Sequence, residues 1–417
     1  MYLQRTAEQM IKGVSLSFPC IVIYGPRQVG KSTTINQLFG EDYRSVTLDD
    51  LEDRALAIGN PRLFLENYGF PLIIDEIQKA PQLIDEIKKI IDRQRLVRMK
   101  EGQRQGLMYI LTGSNRFELQ QGISDSLAGR CGVIEMSSFS HAEKTERKET
   151  LFSPEINYLR EQEKNLPTYY RTRKQVFEDI FIGGMPDICV GNSSREIYFR
   201  SYISTYIEKD VRKLISASSE LQFRNFISIV SLRTSQELHY DEIASCAGID
   251  TRTCKNWISI LETSGIIYLL QPYMSNISNR IIKAPKLYFM DTGLCAYLCK
   301  WSDAAMLADC AMSGAFFETY VVSELVKNAY SFNKDPKEFL FYYRDKDQKE
   351  IDLLYVFQNK LYPIEIKAGV APAKPAKNFS VLSKYHMEIQ PGLIIDNCDK
   401  IRPLNENAYS IPVSIIP

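Results

Sequence analysis

Residues 18–39, FPCIVIYGPRQVGKSTTINQLF, run from an apolar stretch through a glycine-bounded loop into the start of a helix. Within them Gly25, Gly30, Lys31 and Ser32 stand at the spacing GxxxxGK[ST]. The glycines let the loop, with Pro26, Arg27, Gln28 and Val29 between them, curl so that its N–H groups point inward at phosphate oxygens. The following helix begins at those phosphates with the positive end of its dipole toward them. Lys31 is expected to reach the β- and γ-phosphates of a nucleotide and Ser32 to hold Mg²⁺, with Thr33 completing the binding loop.

Such a loop needs a second strand that ends in an acid near the metal. FPLIIDEIQKAP supplies one, with Leu72 to Ile74 followed by Asp75 and Glu76. Asp75 is expected to orient Mg²⁺ and its waters, and Glu76 to polarise the attacking water. Two acids at an exposed helix start would read the same way, but here both motifs occur at compatible spacing. The Asp-Glu pair favours ATP hydrolysis over a GTP switch, and the sequence has no guanine-reading Asn-Lys-x-Asp. A third strand, LMYILTGSNRFEL, ends in Thr112, Ser114 and Asn115. One of these should touch the γ-phosphate or the lytic water, with Ser114 the first choice; which one does so stays open. DSLAGRCGVIEM places Arg130 just before another strand. An arginine there can act as a finger on a nucleotide of the same or a neighbouring subunit, or it can be a plain surface residue.

The order GPRQVGKST, LIIDEIQ, LTGSN, SLAGR and EMSSFSHAE resembles bacterial and archaeal P-loop ATPases of the AAA+ superfamily. It is similar in particular to the branch with an uncharacterised C-terminal domain. Later anchors are GGMP, SYISTYIEKDVR, KLYFMDTGLCAYL and FFETYVVSEL. The resemblance implies an ATPase core over roughly the first 200 residues, with ATP and Mg²⁺ as its ligands; Arg130 acting on a neighbouring subunit would require a homo-oligomer.

At 417 residues the chain is too long for one core, so two or three domains are expected. Its 51 basic and 51 acidic side chains cancel, which gives no overall attraction to nucleic acid but leaves room for a local basic face. No apolar run suits a bilayer, and the N-terminus MYLQRTAEQM lacks a signal-peptide core, so no membrane partner and a cytoplasmic location are expected. The nine cysteines are scattered without a CxxC pair. Cys295 and Cys299 are the only ones at ligand-like spacing, and no histidine lies nearby.

The expected architecture is α/β throughout. A P-loop sheet over 1–140 comes first, followed by a helical lid over 141–218, whose charge-rich start reads as solvated. A winged-helix segment over 219–280 follows, then an α/β restriction-endonuclease-like domain over 281–417. FRNFISIVSLR, HYDEIASCAGID and TRTCKNWISILE read as three helices, the second closed by Gly248, before the strand GIIYLLQPY. Two helices joined by a Gly turn and followed by a strand fit a helix-turn-helix with a wing. Thr251, Arg252, Thr253, Lys255 and Asn256 would then face DNA. Winged helices also pack against proteins, so both partners stay in play.

In KEIDLLYV and YPIEIKAG, alternation puts Glu365 and Lys367 on one strand face, and the hairpin between them can bring Asp352 alongside. Two carboxylates and a lysine suit metal-assisted phosphodiester cleavage, and the spacing resembles the PD-(D/E)xK signature. Glu318, on the buried face of GAFFETYVVSEL, is the further acid that the fold would take from a helix, so Glu318, Asp352 and Glu365 are the candidate metal ligands. A buried ion-pair network would use the same charges.

Overall fold

Short runs of Ile, Leu and Val, several ending in a polar residue, build the first sheet. In the computed structural model, which describes residues 2–102, 106–114, 126–191, 193–207, 220–274, 284–369 and 378–417, these runs are five parallel strands. β1 (Cys20–Tyr24), β2 (Arg44–Thr47), β3 (Leu72–Asp75), β4 (Tyr109–Gly113) and β5 (Cys131–Glu135) lie in the order β2-β3-β4-β1-β5. Alternation divides them between two cores. Val22, Ile74 and Leu111 point to one, and Ile21, Ile23, Ile73 and Ile110 to the other, as a sheet covered on both faces requires. Because all strands run one way, Tyr24, Asp75 and Gly113 end at the same edge. Helix α1 (Lys31–Phe39) begins just beyond it. Helix α2 (Leu83–Lys100) buries Leu83, Ile84, Ile87 and Ile91 at helical spacing.

The chain divides into two compact units. The first is Met1–Phe139 with Thr263–Gly265 and Tyr330–Asn333; the second is Ser140–Glu262, Ile266–Ala329 and Lys334–Pro417. The second unit therefore contains what the sequence reading separates into lid, winged helix and C-terminal domain.

The charge-rich start of that unit is solvated only in part: Glu146, Lys148, Arg160, Glu161 and Lys164 are exposed as expected, but other charges in the same run are not. His141, Glu143, Glu149 and Arg171 are all buried. Asp179, on helix α3 (Arg173–Ile182), collects two cations, Arg171 Nη1 at 3.2 Å and the Lys144 ammonium, and a hydrogen bond with His141 Nδ1 at 2.9 Å. Tyr320 donates to the same carboxylate at 2.9 Å. Burial pushes the Asp179 carboxyl up, but Lys144, the His141 hydrogen bond and Arg171 outweigh it and hold the carboxyl well below the usual range. Buried charges survive when paired and hydrogen-bonded, and charge density along a sequence does not reveal pairing across elements.

After helix α4 (Arg195–Tyr202) comes helix α5 (Glu220–Ser231), then β6 (Gln236–Glu237), helices α6 (Tyr240–Ala247) and α7 (Thr251–Thr263), and strands β7 (Ile267–Leu270) and β8 (Lys286–Phe289). The three strands form an antiparallel sheet in the order β6-β8-β7. Trp257 on α7 is 2% exposed and meets Phe223 and Phe226 edge-on at 5.2 and 5.1 Å. Gly248 ends α6 at φ +67°, as read from the sequence. Helix α8 (Thr292–Leu298) is capped by Asp291, which accepts from Leu294 N and, with its other oxygen, from Gly184 N, each at 2.8 Å. That joins the GGMP and MDTG stretches.

Helix α9 (Ser313–Ser331) precedes an antiparallel meander of β9 (Leu340–Arg344), β10 (Glu350–Phe357) and β11 (Lys360–Ile366). β11 then pairs in parallel with β12 (Glu388–Ile389) and β13 (Gly392–Asp396). β14 (Arg402–Asn405) and β15 (Ala408–Pro412) complete the sheet.

Candidate functional site

The P-loop spans the gap between β1 and α1. Gly25 takes φ +153°, and a Cβ on it would stand 1.9 Å from the Met136 carbonyl oxygen, so no side chain fits. Gly30, at φ +92°, turns the chain into α1. Lys31 is 7% exposed, and its Nζ donates to the carbonyls of Gly25 (2.9 Å) and Pro26 (2.7 Å). Burial pulls its ammonium down to about 8, against the opposing pull of Glu76 and Asp75. From behind, Arg5 braces the loop, its guanidinium donating to Val29 O and Ser137 O, each at 2.8 Å. The sequence reading passed over Arg5; an arginine just ahead of the helix Ala7–Ser15 gives no local signal of such a reach.

β4 lies between β1 and β3, and this sets the rest of the site. Asp75 Oδ1 accepts from Ser32 Oγ at 3.1 Å and from Thr112 Oγ1, joining P-loop, β3 and β4. Glu76 sits at φ +58°, a left-handed conformation that costs a non-glycine residue about 1–3 kcal/mol and clusters at functional sites. Its Oε2 accepts from Ser114 Oγ at 3.2 Å and from Gln78 Nε2. Gln78 Nε2 also lies 3.2 Å from Ser114 Oγ. Of the three candidates at the end of β4, Thr112 thus meets Asp75 and Ser114 meets Glu76, while Asn115 lies outside the described residues. Gln78, which the sequence reading did not single out, is the second residue holding Glu76; its place two positions after the acid is the only sequence hint.

Arg130 is elsewhere. Cys131 pairs with Cys20 and Glu135 with Tyr24, so Arg130 stands at the opposite end of the parallel sheet from the P-loop. Five residues of β5 separate the two ends, roughly 16 Å at 3.3 Å per residue. Its Nε and Nη2 meet the two Asp92 oxygens at 2.6 and 3.0 Å. The expectation that Arg130 serves the nucleotide of its own chain fails on this geometry.

In the second unit, Leu353 pairs with Ile364, so Asp352 falls opposite Glu365 just beyond the end of that ladder. The Asp352 carboxylate accepts from Ile366 N at 2.8 Å and from Lys367 Nζ at 3.1 Å, and Lys367 Nζ lies 2.8 Å from Glu365. Burial and neighbouring Asp352 push the Glu365 carboxyl up to about 7. Glu318 approaches from α9 and carries partners that the sequence reading missed. Tyr288 donates to it at 2.7 Å, Ser235 at 3.2 Å and Lys286 at 3.1 Å. Lys286 also stands 2.5 Å from Glu350. A lysine opening the buried strand KLYF was the available signal. The acids therefore alternate with ammonium groups. Among the described residues, no group of three or more His, Cys, Asp or Glu side chains converges as a metal site. The expected ligand set Glu318, Asp352 and Glu365 does not fit a metal as arranged, and neither do Cys295 and Cys299. Their thiols point to Ser231, Cys295 to its carbonyl at 3.6 Å and Cys299 to its Oγ at 3.3 Å.

On α7, Arg252, Lys255 and Asn256 are exposed. The hydroxyls of Thr251 and Thr253 are bound to Asp241 and Asp250, each at 2.6 Å. No helix of the described residues is long and apolar enough to cross a membrane.

Residues 17–145 match the AAA domain family. With the P-loop, the paired acids and the parallel sheet, they define an ATPase of the AAA-like P-loop type. Residues 173–305 and 313–416 match two domains of unknown function, DUF8612 and DUF4143. An uncharacterized protein of Mycobacterium bovis and one of Mycobacterium tuberculosis are each 25% identical over 401 residues, 95% of this chain and 81% of theirs. Among solved structures, a Walker-type ATPase of Pyrococcus abyssi is similar at TM-score 0.38 and 14% identity, over 70% of this chain and 94% of that one. Cdc6p from Pyrobaculum aerophilum is similar at TM-score 0.27 and 12% identity, over 72% and 96%.

Proposed function

We propose that the chain is a Mg²⁺-dependent ATP hydrolase whose second unit acts on DNA. The observation that carries the first part is the double clasp at the sheet edge, with Ser32 and Thr112 on Asp75 and Ser114 and Gln78 on Glu76. Lys31 and the loop amides hold the β- and γ-phosphates. Ser32 and Asp75 are the residues that would hold Mg²⁺, which offsets phosphate charge when bound. Glu76 orients water for attack on the γ-phosphorus and takes up its proton as the bond to the leaving ADP oxygen breaks. Arg130 acts only on a neighbouring copy, so in a homo-oligomer the specific ATPase rate should rise with protein concentration, and Arg130→Ala should abolish the rise. A flat rate in the unaltered chain removes the finger.

The order helix–strand–helix–helix–strand–strand supports a winged helix, with the exposed Arg252, Lys255 and Asn256 as its DNA-facing groups. The helix α9, the meander β9–β11 and the parallel strand β13 support a restriction-endonuclease-like fold. Interleaved lysines favour an inert version of that site, so ATP occupancy would switch DNA binding without cutting. A cleavage assay on single-stranded, linear and supercoiled DNA with Mg²⁺ or Mn²⁺ tests this, with and without ATP. Cutting that disappears in both Asp352→Ala and Lys367→Ala would instead make the trio a nuclease centre. Absence of salt-sensitive DNA binding would shift the second unit to protein partners.

A further inference from the structure

A cavity of about 800 Å³ opens in the second unit between α4, the turn Ile203–Ile207, α5 and the end of α8. Its volume falls within the roughly 300–1,000 Å³ of small-ligand sites. The wall carries Arg195, Arg200, Arg224 and Lys300 against one acid, Glu196. Arg195 is a fixed cation: its Nε donates to Phe181 O at 2.9 Å, Nη2 to Gly293 O at 3.2 Å, and its guanidinium lies 3.8 Å over the Phe181 ring. Arg200 and Lys300 are exposed and have no carboxylate partner among the described residues. Tyr297 and Trp301 add two aromatic rings to the same wall.

We propose that this cavity binds a nucleotide unit, its phosphate on Arg200 and Lys300 and its base against Tyr297 and Trp301. Arg195 is paired with Glu196 at 3.3 Å, so the exposed Arg200 and Lys300 are the charges that select an anion, and rings beside cations select one that carries a planar base. Every base has a stackable face, and cationic grooves with aromatic platforms are how unpaired strands are held. The unit could come from single-stranded nucleic acid or a free nucleotide, since both present the same phosphate and base. This inference is independent of the P-loop reading and lies apart from α7.

The test uses the full-length Lys31→Ala chain, so the P-loop takes no part. The protein has two tryptophans. Trp257 is buried between Phe223 and Phe226, so a ligand-dependent change in emission belongs to Trp301, and its loss in Trp301→Phe checks that assignment. An oligo-dT of about ten nucleotides, dTMP and a poly-glutamate peptide are titrated separately. The nucleotide arms should quench Trp301, and Arg200→Ala with Lys300→Ala should weaken binding about tenfold and flatten its salt dependence. Both positions are exposed, so the fold survives the change. Quenching by oligo-dT alone identifies the source as a strand; equal binding of dTMP identifies a free nucleotide. The proposal is overturned if neither nucleotide ligand quenches, if the double variant binds as tightly, or if poly-glutamate binds equally well.

Discussion

Lys286 is the residue on which the buried charge cluster of the second unit turns, and Lys286→Met tests that role. The lysine is 3% exposed, with Glu318 at 3.1 Å and Glu350 at 2.5 Å. Methionine keeps an unbranched stem and removes the charge, leaving Glu318 with only Tyr288 and Ser235. Removing one partner of a buried pair costs about 3–5 kcal/mol, because the other charge stays buried. Burial and Asp352 already hold the Glu318 carboxyl above its usual range, and Lys286 opposes them. Without the lysine it rises further. A carboxyl whose folded pKa exceeds its unfolded one is unpenalised below the unfolded value and loses stability as pH rises through the folded value. The deficit of Lys286→Met should therefore be largest at neutral pH and shrink on acidification. Urea midpoints followed by emission of the buried Trp257 measure it. Lys286→Met with Glu318→Gln should recover part of the loss, since the amide needs no counter-charge. A single variant as stable as the parent at neutral pH, or a double variant no better than the single, would refute the reasoning.

Lys31→Ala should abolish ATP binding. In the unaltered chain, ATP affinity should fall as pH rises through about 8, where the buried ammonium loses its proton; a constant affinity from pH 7 to 9 would contradict that environment. The sign for stability is the reverse. Between about 8 and the unfolded value of 10.5, only the unfolded Lys31 keeps its proton, so folding stability rises with pH across that window. Glu76→Gln should bind ATP yet turn over about 10²–10⁴-fold more slowly, and unchanged turnover would remove it as the water activator. Gln78→Ala should lower kcat with little change in KM, because its amide holds Glu76 and Ser114; a change confined to KM would argue for direct nucleotide contact.

Much of the first unit was readable residue by residue. Gly25, Gly30, Lys31 and Ser32 declare a loop because backbone curvature and charge are local requirements. Asp75 and Glu76 follow from the end of an apolar run. That Asp352 can come alongside Glu365 follows from alternation and a short turn, but the register that sets them opposite came only from the structure. Only the same-chain role of Arg130 falls, because its distance from the P-loop depends on strand direction within the sheet, which no local pattern encodes. His141, Glu149 and Arg171 were misread for a related reason: a dense run of charges looks solvated until Asp179 and Tyr320 arrive from other elements beside His141 and Arg171, and Asn328 beside Glu149.

Local chemistry in the sequence determined the phosphate-binding loop, the acids that follow β3, the helix boundary at Gly248 and the face-sharing of Glu365 with Lys367. Tertiary structure alone decided that β4 lies between β1 and β3, so that Thr112 meets Asp75 and Ser114 meets Glu76. It also decided that Lys286, 32 residues before Glu318, stands among the acids of α9 and β10. The reason is physical. Backbone conformation and alternation act over a few residues, whereas the pairing of buried charges is settled by which elements pack together.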